Sequence, residues 1–136
     1  MKSPHLLLLI SAIFILGCSD NSISKVHNKK ILDSKIKCMK LVVFPPNKII
    51  ENKLHELYTF DNNCNLKLFI SYKGSIVCNS NQNSEKKVLG MPKSYLRFEL
   101  KKQNTLFYSY YIDLNDNFNA NDVENGFDRM KETLEF

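Results

Sequence analysis

Tryptophan is missing from this chain, and glycine, proline and histidine are scarce, at four, four and three in 136 residues. The glycines stand singly at 17, 74, 90 and 126, so no glycine-rich loop is available to cradle a phosphate. Gly-x-Ser-x-Gly is absent, which removes the nucleophile elbow of a hydrolase. His5, His27 and His55 lie far apart, and His55-Glu56 has no second histidine at the spacing of a zinc-protease helix. Cysteine is confined to positions 18, 38, 64 and 78, with no Cys-x-x-Cys and no Cys/His spacing suited to zinc. Beyond residue 16 no apolar run approaches the ~20 residues that cross a bilayer as a helix. Enzymatic activity and bound cofactors are therefore not expected.

What is present begins at the amino terminus. Lys2 precedes an apolar run at residues 6–16, interrupted only by Ser11 and too short to span a membrane. Its length suits the apolar region of a secretory signal. The run ends in Ile15-Leu16-Gly17-Cys18. This segment resembles the lipobox of bacterial lipoproteins, with Leu16 bulkier than the small residue usual at that place. The resemblance implies cleavage before Cys18, a diacylglycerol on its thiol and an acylated amino group. Residues 1–17 would then be a signal peptide and residues 18–34 a lipidated amino terminus with a flexible tether. Residues 35–136 would form a single domain. Several acyl chains hold a protein firmly where one holds it weakly. Ser19 stands where an aspartate would favour inner-membrane retention, so the family pattern implies the periplasmic face of the outer membrane.

Charge is unevenly spread. Residues 18–112 carry 16 Lys/Arg against 7 Asp/Glu, whereas residues 113–136 carry two cations against seven carboxylates. A basic body favours association with anionic surfaces or partners. Its cations are almost all scattered lysines, which read as solvated surface, and nucleic acid is not expected in the implied compartment.

Residues 19–34 are polar and aperiodic, and as a flexible tether they would span about 22 Å. Residues 35–44 alternate as a strand that Pro45-Pro46 ends. Residues 47–58 fit a helix capped by Asn47, with a strand near Leu57 as the competitor. Asp61-Asn62-Asn63 signals a turn. Leu66, Leu68, Ile70 and Tyr72 alternate and lead through Lys73-Gly74 into Ser75-Ile76-Val77-Cys78, the pattern of a hairpin. Residues 79–87 hold no apolar side chain and read as a loop, and residues 88–91 as a short extended piece. Leu96, Phe98 and Leu100 share one face of a further strand. After a turn at 101–104, Leu106, Tyr108, Tyr110, Ile112 and Leu114 share a face, with Phe107 and Tyr111 opposite. Val123, Phe127, Met130 and Leu134 recur at helical spacing, with Asn121 and Glu124 placed as a capping box. The fold class expected is α+β, a small antiparallel sheet with a C-terminal amphipathic helix packed on it.

With Cys18 lipidated, Cys38, Cys64 and Cys78 offer one disulfide and one spare thiol, in any of three pairings. Asp113, Asn115, Asn117, Asn121 and Glu124 superficially resemble an EF-hand calcium loop. Phe118 replaces the turn glycine and a strand precedes the loop, so a capped strand-to-helix turn is the expected structure and calcium the alternative. Tyr95, Phe107, Tyr108, Tyr110 and Tyr111 cluster on one hairpin as a candidate interface, or as core beneath the helix. The run Tyr-Ser-Tyr-Tyr-Ile-Asp-Leu-Asn at 108–115 resembles the closing strand of some immunity lipoproteins linked to type VI secretion. That likeness implies a monomeric, non-catalytic protein-binding module that occludes a secreted toxin. The alternatives are a structural or assembly lipoprotein of the envelope, or a small-ligand or calcium module.

Overall fold

In the computed structural model, residues 21–74 and 92–136 are described. The strands are β1 (Ser22–Val26), β2 (Lys40–Phe44), β3 (Leu66–Lys73), β4 (Ser94–Lys102) and β5 (Thr105–Leu114). The helices are α1 (Lys30–Asp33), α2 (Lys48–Leu57) and α3 (Ala120–Leu134). The strands form one sheet in the order β1-β5-β4-β3-β2. All neighbours are antiparallel except β2 and β3, so the sheet is mixed. The class is α+β, with α3 packed on one face of the sheet.

That parallel pair corrects the wholly antiparallel expectation. Parallel neighbours need a long crossover, and residues 45–65, with α2 inside them, provide it. Asn47 caps α2, its side-chain oxygen accepting from the Ile49 and Ile50 amides at 2.9 and 3.3 Å. Ile50 and Leu54 turn inward and are fully buried, which settles the ambiguous segment as helix. The Asp61 carboxylate accepts from the Asn63 amide at 2.8 Å, forming the expected turn.

β1 is a second departure, because residues 19–34 read as a tether. Ser22–Val26 pairs with β5, Ser24 lying opposite Tyr110. The apolar alternation that marks a strand is missing there because hydroxyls do the inward work. Ser24 Oγ is 2.8 Å from Tyr108 Oη and 3.3 Å from Thr133 Oγ1. The outward residues, Ile23 and Lys25, are exposed on an edge strand.

α3 follows its periodicity, with Val123, Phe127, Met130 and Leu134 all buried. Side chains of this size each stabilise the fold by about 1.5–3 kcal/mol when buried. The cap lies two residues earlier than expected. Asn119 accepts from the Asn121 and Asp122 amides, and the Asp122 carboxylate accepts from the Asn119 amide at 2.8 Å. Starting there puts Phe118 and Val123 at the two positions of a hydrophobic staple, and both join the core. Opposite α3, β4 and β5 supply Leu96, Phe98, Leu100, Tyr108 and Tyr110. A bulge at Leu100/Lys101 leaves Phe107 as the extra residue, half-buried against the core and not on the far side from Tyr108.

Cys38 and Cys64 form the disulfide, with Cα atoms 6.0 Å apart. Because β2 and β3 run parallel and start side by side, the residues just before each strand meet. Cys18, Cys78, the second hairpin strand at 75–78, the loop at 79–87 and the piece at 88–91 lie outside the described residues. Among the described residues no helix is long and apolar enough to cross a membrane.

Candidate functional site: the open face of the sheet

Strand pairing divides the aromatic cluster between two faces. Tyr108 and Tyr110 point inward and are buried, which makes them core and not interface. Burial pushes the Tyr108 phenol pKa up. Tyr95 and Tyr111 project from the opposite face, their rings stacked at 5.7 Å. Tyr111 donates to Asp113 Oδ1 at 2.6 Å. That bond, with burial and the nearby carboxylate charge, raises the Tyr111 pKa to about 12.

Among the described residues no helix packs on this face, and the register lays this open face out in rows. One row runs Ile23, Tyr111, Arg97, Ser71, Phe44 from edge to edge. Its two ends are the most exposed large apolar side chains among the described residues, Ile23 at 65% and Phe44 at 73%. The next row runs Lys25, Ser109, Glu99, Phe69, Val42. Beyond it, Lys101, Lys67 and Lys40 lie side by side, and Tyr95 neighbours Lys73 at the other end.

Cations dominate this surface. Lys25, Lys40, Lys67, Lys73, Arg97 and Lys101 stand against Glu99 and Asp113. Both carboxylates are engaged locally. Glu99 lies 2.5 Å from Arg97 Nη2 and 2.6 Å from Lys101 Nζ, and Asp113 takes the Tyr111 hydroxyl. Lys101 also sits 5.4 Å above the Phe69 ring. Among the described residues Lys25, Lys40, Lys67 and Lys73 have no acidic neighbour within ion-pair distance. His27 Nε2 lies 2.8 Å from Ser109 Oγ at the β1 edge of the same face.

The opposite layer has the other sign. α3 carries Asp122, Glu124, Asp128 and Glu132 against Arg129 and Lys131. A shallow groove of about 440 Å³ between α3 and the sheet is lined by Tyr110, Ile112, Asp122, Asn125, Asp128, Arg129 and Glu132. The candidate calcium residues are dispersed into other roles. Glu124 pairs with Lys53 at 3.3 Å, holding that lysine's pKa above its usual value, and Asn121 lies in the first turn of α3. Asp113 is held by Tyr111, while Asn115 and Asn117 are exposed in the connecting turn. Among the described residues no three His, Cys, Asp or Glu side chains gather as a metal site.

The open face escaped the sequence reading because strand alternation assigns residues to faces without saying which face a helix covers. The signal that could have found it is the excess of lysine at outward positions of β1, β2 and β3. Compared with known families, curated proteins and solved structures, the chain matches none of the three.

Proposed function

We propose that the chain is a lipid-anchored protein of the bacterial cell envelope, carried by Cys18, whose domain is a non-catalytic binding module. The observation that carries this reading is the apolar leader ending in Ile15-Leu16-Gly17-Cys18, and the close spacing of that cysteine and the fold says where the domain works. Gly17-Cys18 ends the apolar leader, and β1 begins at Ser22 with only Ser19, Asp20 and Asn21 between. The chain extends at most ~3.6 Å per residue, so the first strand starts within about 14 Å of the modified cysteine. The domain therefore works at the membrane surface and not at the end of a long tether.

The described cysteines and histidines have partners within the fold. Cys38 and Cys64 are joined to each other, His55 packs edge-on against Phe60 at 5.5 Å, and His27 engages Ser109. The two faces of opposite sign are suited to binding macromolecules. A protein partner, a secreted toxin among them, follows from the likeness to immunity lipoproteins.

Growth of the native host with labelled palmitate tests the anchor. Incorporation into the wild-type chain and its loss in Cys18→Ser is the expected result, and equal labelling of both, or of neither, contradicts it. The toxin reading has its own test. Deletion of the gene should sensitise cells to an effector encoded beside it, and undiminished resistance would end that idea.

A further inference from the structure

We propose that the open face of the sheet lies on the anionic phospholipid surface to which the chain is anchored. This rests on the lipid-anchor reading and names what that anchor does to the domain. Two observations point to the bilayer as occupant. The chain outside the described fold leaves β1 at Ser22, and β1 is the edge strand that places Ile23 and Lys25 on the open face. A link of at most about 14 Å keeps the first strand close to the headgroups. The second observation is chemical complementarity. Lys25, Lys40, Lys67 and Lys73 are unneutralised by any described carboxylate, and Ile23 and Phe44 stand exposed at the two edges of the same sheet.

Lysines near an anionic lipid surface are attracted to it over a few ångströms and released by salt. Exposed Ile and Phe side chains at headgroup level add apolar burial. Between them Tyr95 and Tyr111 present amphipathic rings of the kind enriched at membrane interfaces. The acidic α3 layer would be repelled by the same surface. Apposition of the sheet turns α3 and its groove outward, where a soluble partner would meet them.

The absence of tryptophan makes a direct test available. Ile23→Trp, Phe44→Trp and Glu132→Trp each introduce a single reporter at an exposed position, the first two on the sheet and the third on α3. The full lipidated chains are reconstituted in brominated phosphatidylcholine vesicles, with and without phosphatidylglycerol, after mass measurement of the lipid on Cys18. The expected result is severalfold stronger quenching at 23 and 44 than at 132 in the anionic vesicles. High salt, or Lys25→Glu with Lys67→Glu, should reduce that difference to near unity. Equal quenching at all three positions, stronger quenching at 132, or no dependence on phosphatidylglycerol overturns the proposal while leaving the anchor intact. A bare Cys18 thiol removes the link and overturns both.

Discussion

Tyr111 holds its proton to about pH 12 because its hydroxyl donates to Asp113, an effect that burial and the carboxylate charge reinforce. The ordinary value, 10.0, applies when the chain is unfolded. Its folded pKa is raised, so the stability it confers is complete below pH 10 and is lost as pH rises through 12. Absorbance titration of tyrosinate should show a late component near 12 that Tyr111→Phe removes. An unchanged titration in that variant would contradict the hydrogen bond. Gly126 gives a second residue-scale test. A Cβ there would stand 2.7 Å from Phe98 Cε2 and 2.9 Å from Tyr110 Cε1, inside the edge-to-face pair those rings form. Alanine would gain about 1 kcal/mol of helix propensity and lose about 1–3 kcal/mol to overpacking. Gly126→Ala should therefore lower the denaturation midpoint, and a stabilised variant would show that α3 sits farther from the sheet. The Gly126 contact was not legible in the sequence, since it depends on which strand residues lie beneath which turn of α3, whereas Tyr111 and Asp113 stand two apart on one face of β5, away from that helix.

At the scale of elements, the Cys38–Cys64 disulfide joins the starts of two parallel strands and closes a loop of 26 residues that contains α2. Cross-links over such loops stabilise by about 3 kcal/mol, chiefly by restricting the unfolded chain. Replacing both cysteines by serine should cost that order of stability in urea denaturation while leaving β4, β5 and α3 folded. A loss below about 0.5 kcal/mol would mean that the unfolded chain gains little freedom when the bond is absent. Helix α3, the β4–β5 hairpin and the capped α2 were readable because their apolar residues repeat at 3.6 or 2 positions. Strand β1 was not, because Ser22 and Ser24 occupy its inward side and hydrogen bonding replaces apolar burial at Ser24. The parallel pairing of β2 and β3 was hidden for another reason, since alternation fixes the faces of a strand but not its neighbour or direction. The α3 cap shifted because Asn119-x-x-Asp122 and Asn121-x-x-Glu124 present the same pattern two residues apart.

For the whole molecule, the sheet layer is basic and edged with exposed apolar side chains, and the α3 layer is acidic. This polarity merges two features that were separate in the sequence, a lysine-rich body and a carboxylate-rich end. Folding places Lys25, Lys40, Lys67, Lys73, Arg97 and Lys101 on the sheet side and Asp122, Glu124, Asp128 and Glu132 on α3, with Asp113 on the sheet side and Lys53 paired to Glu124 as exceptions. The described chain begins at the edge strand β1, so an acylated Cys18 would hold one side of this polar molecule against lipid. The acylation at Cys18 is the premise on which that orientation depends. Intact-mass and peptide mass spectrometry of the protein purified from its native membrane reads it most directly. The expected result is a chain beginning at Cys18 with diacylglycerol on sulfur and an acyl group on nitrogen. A chain that retains residues 1–17 and carries an unmodified sulfhydryl at Cys18 would contradict it.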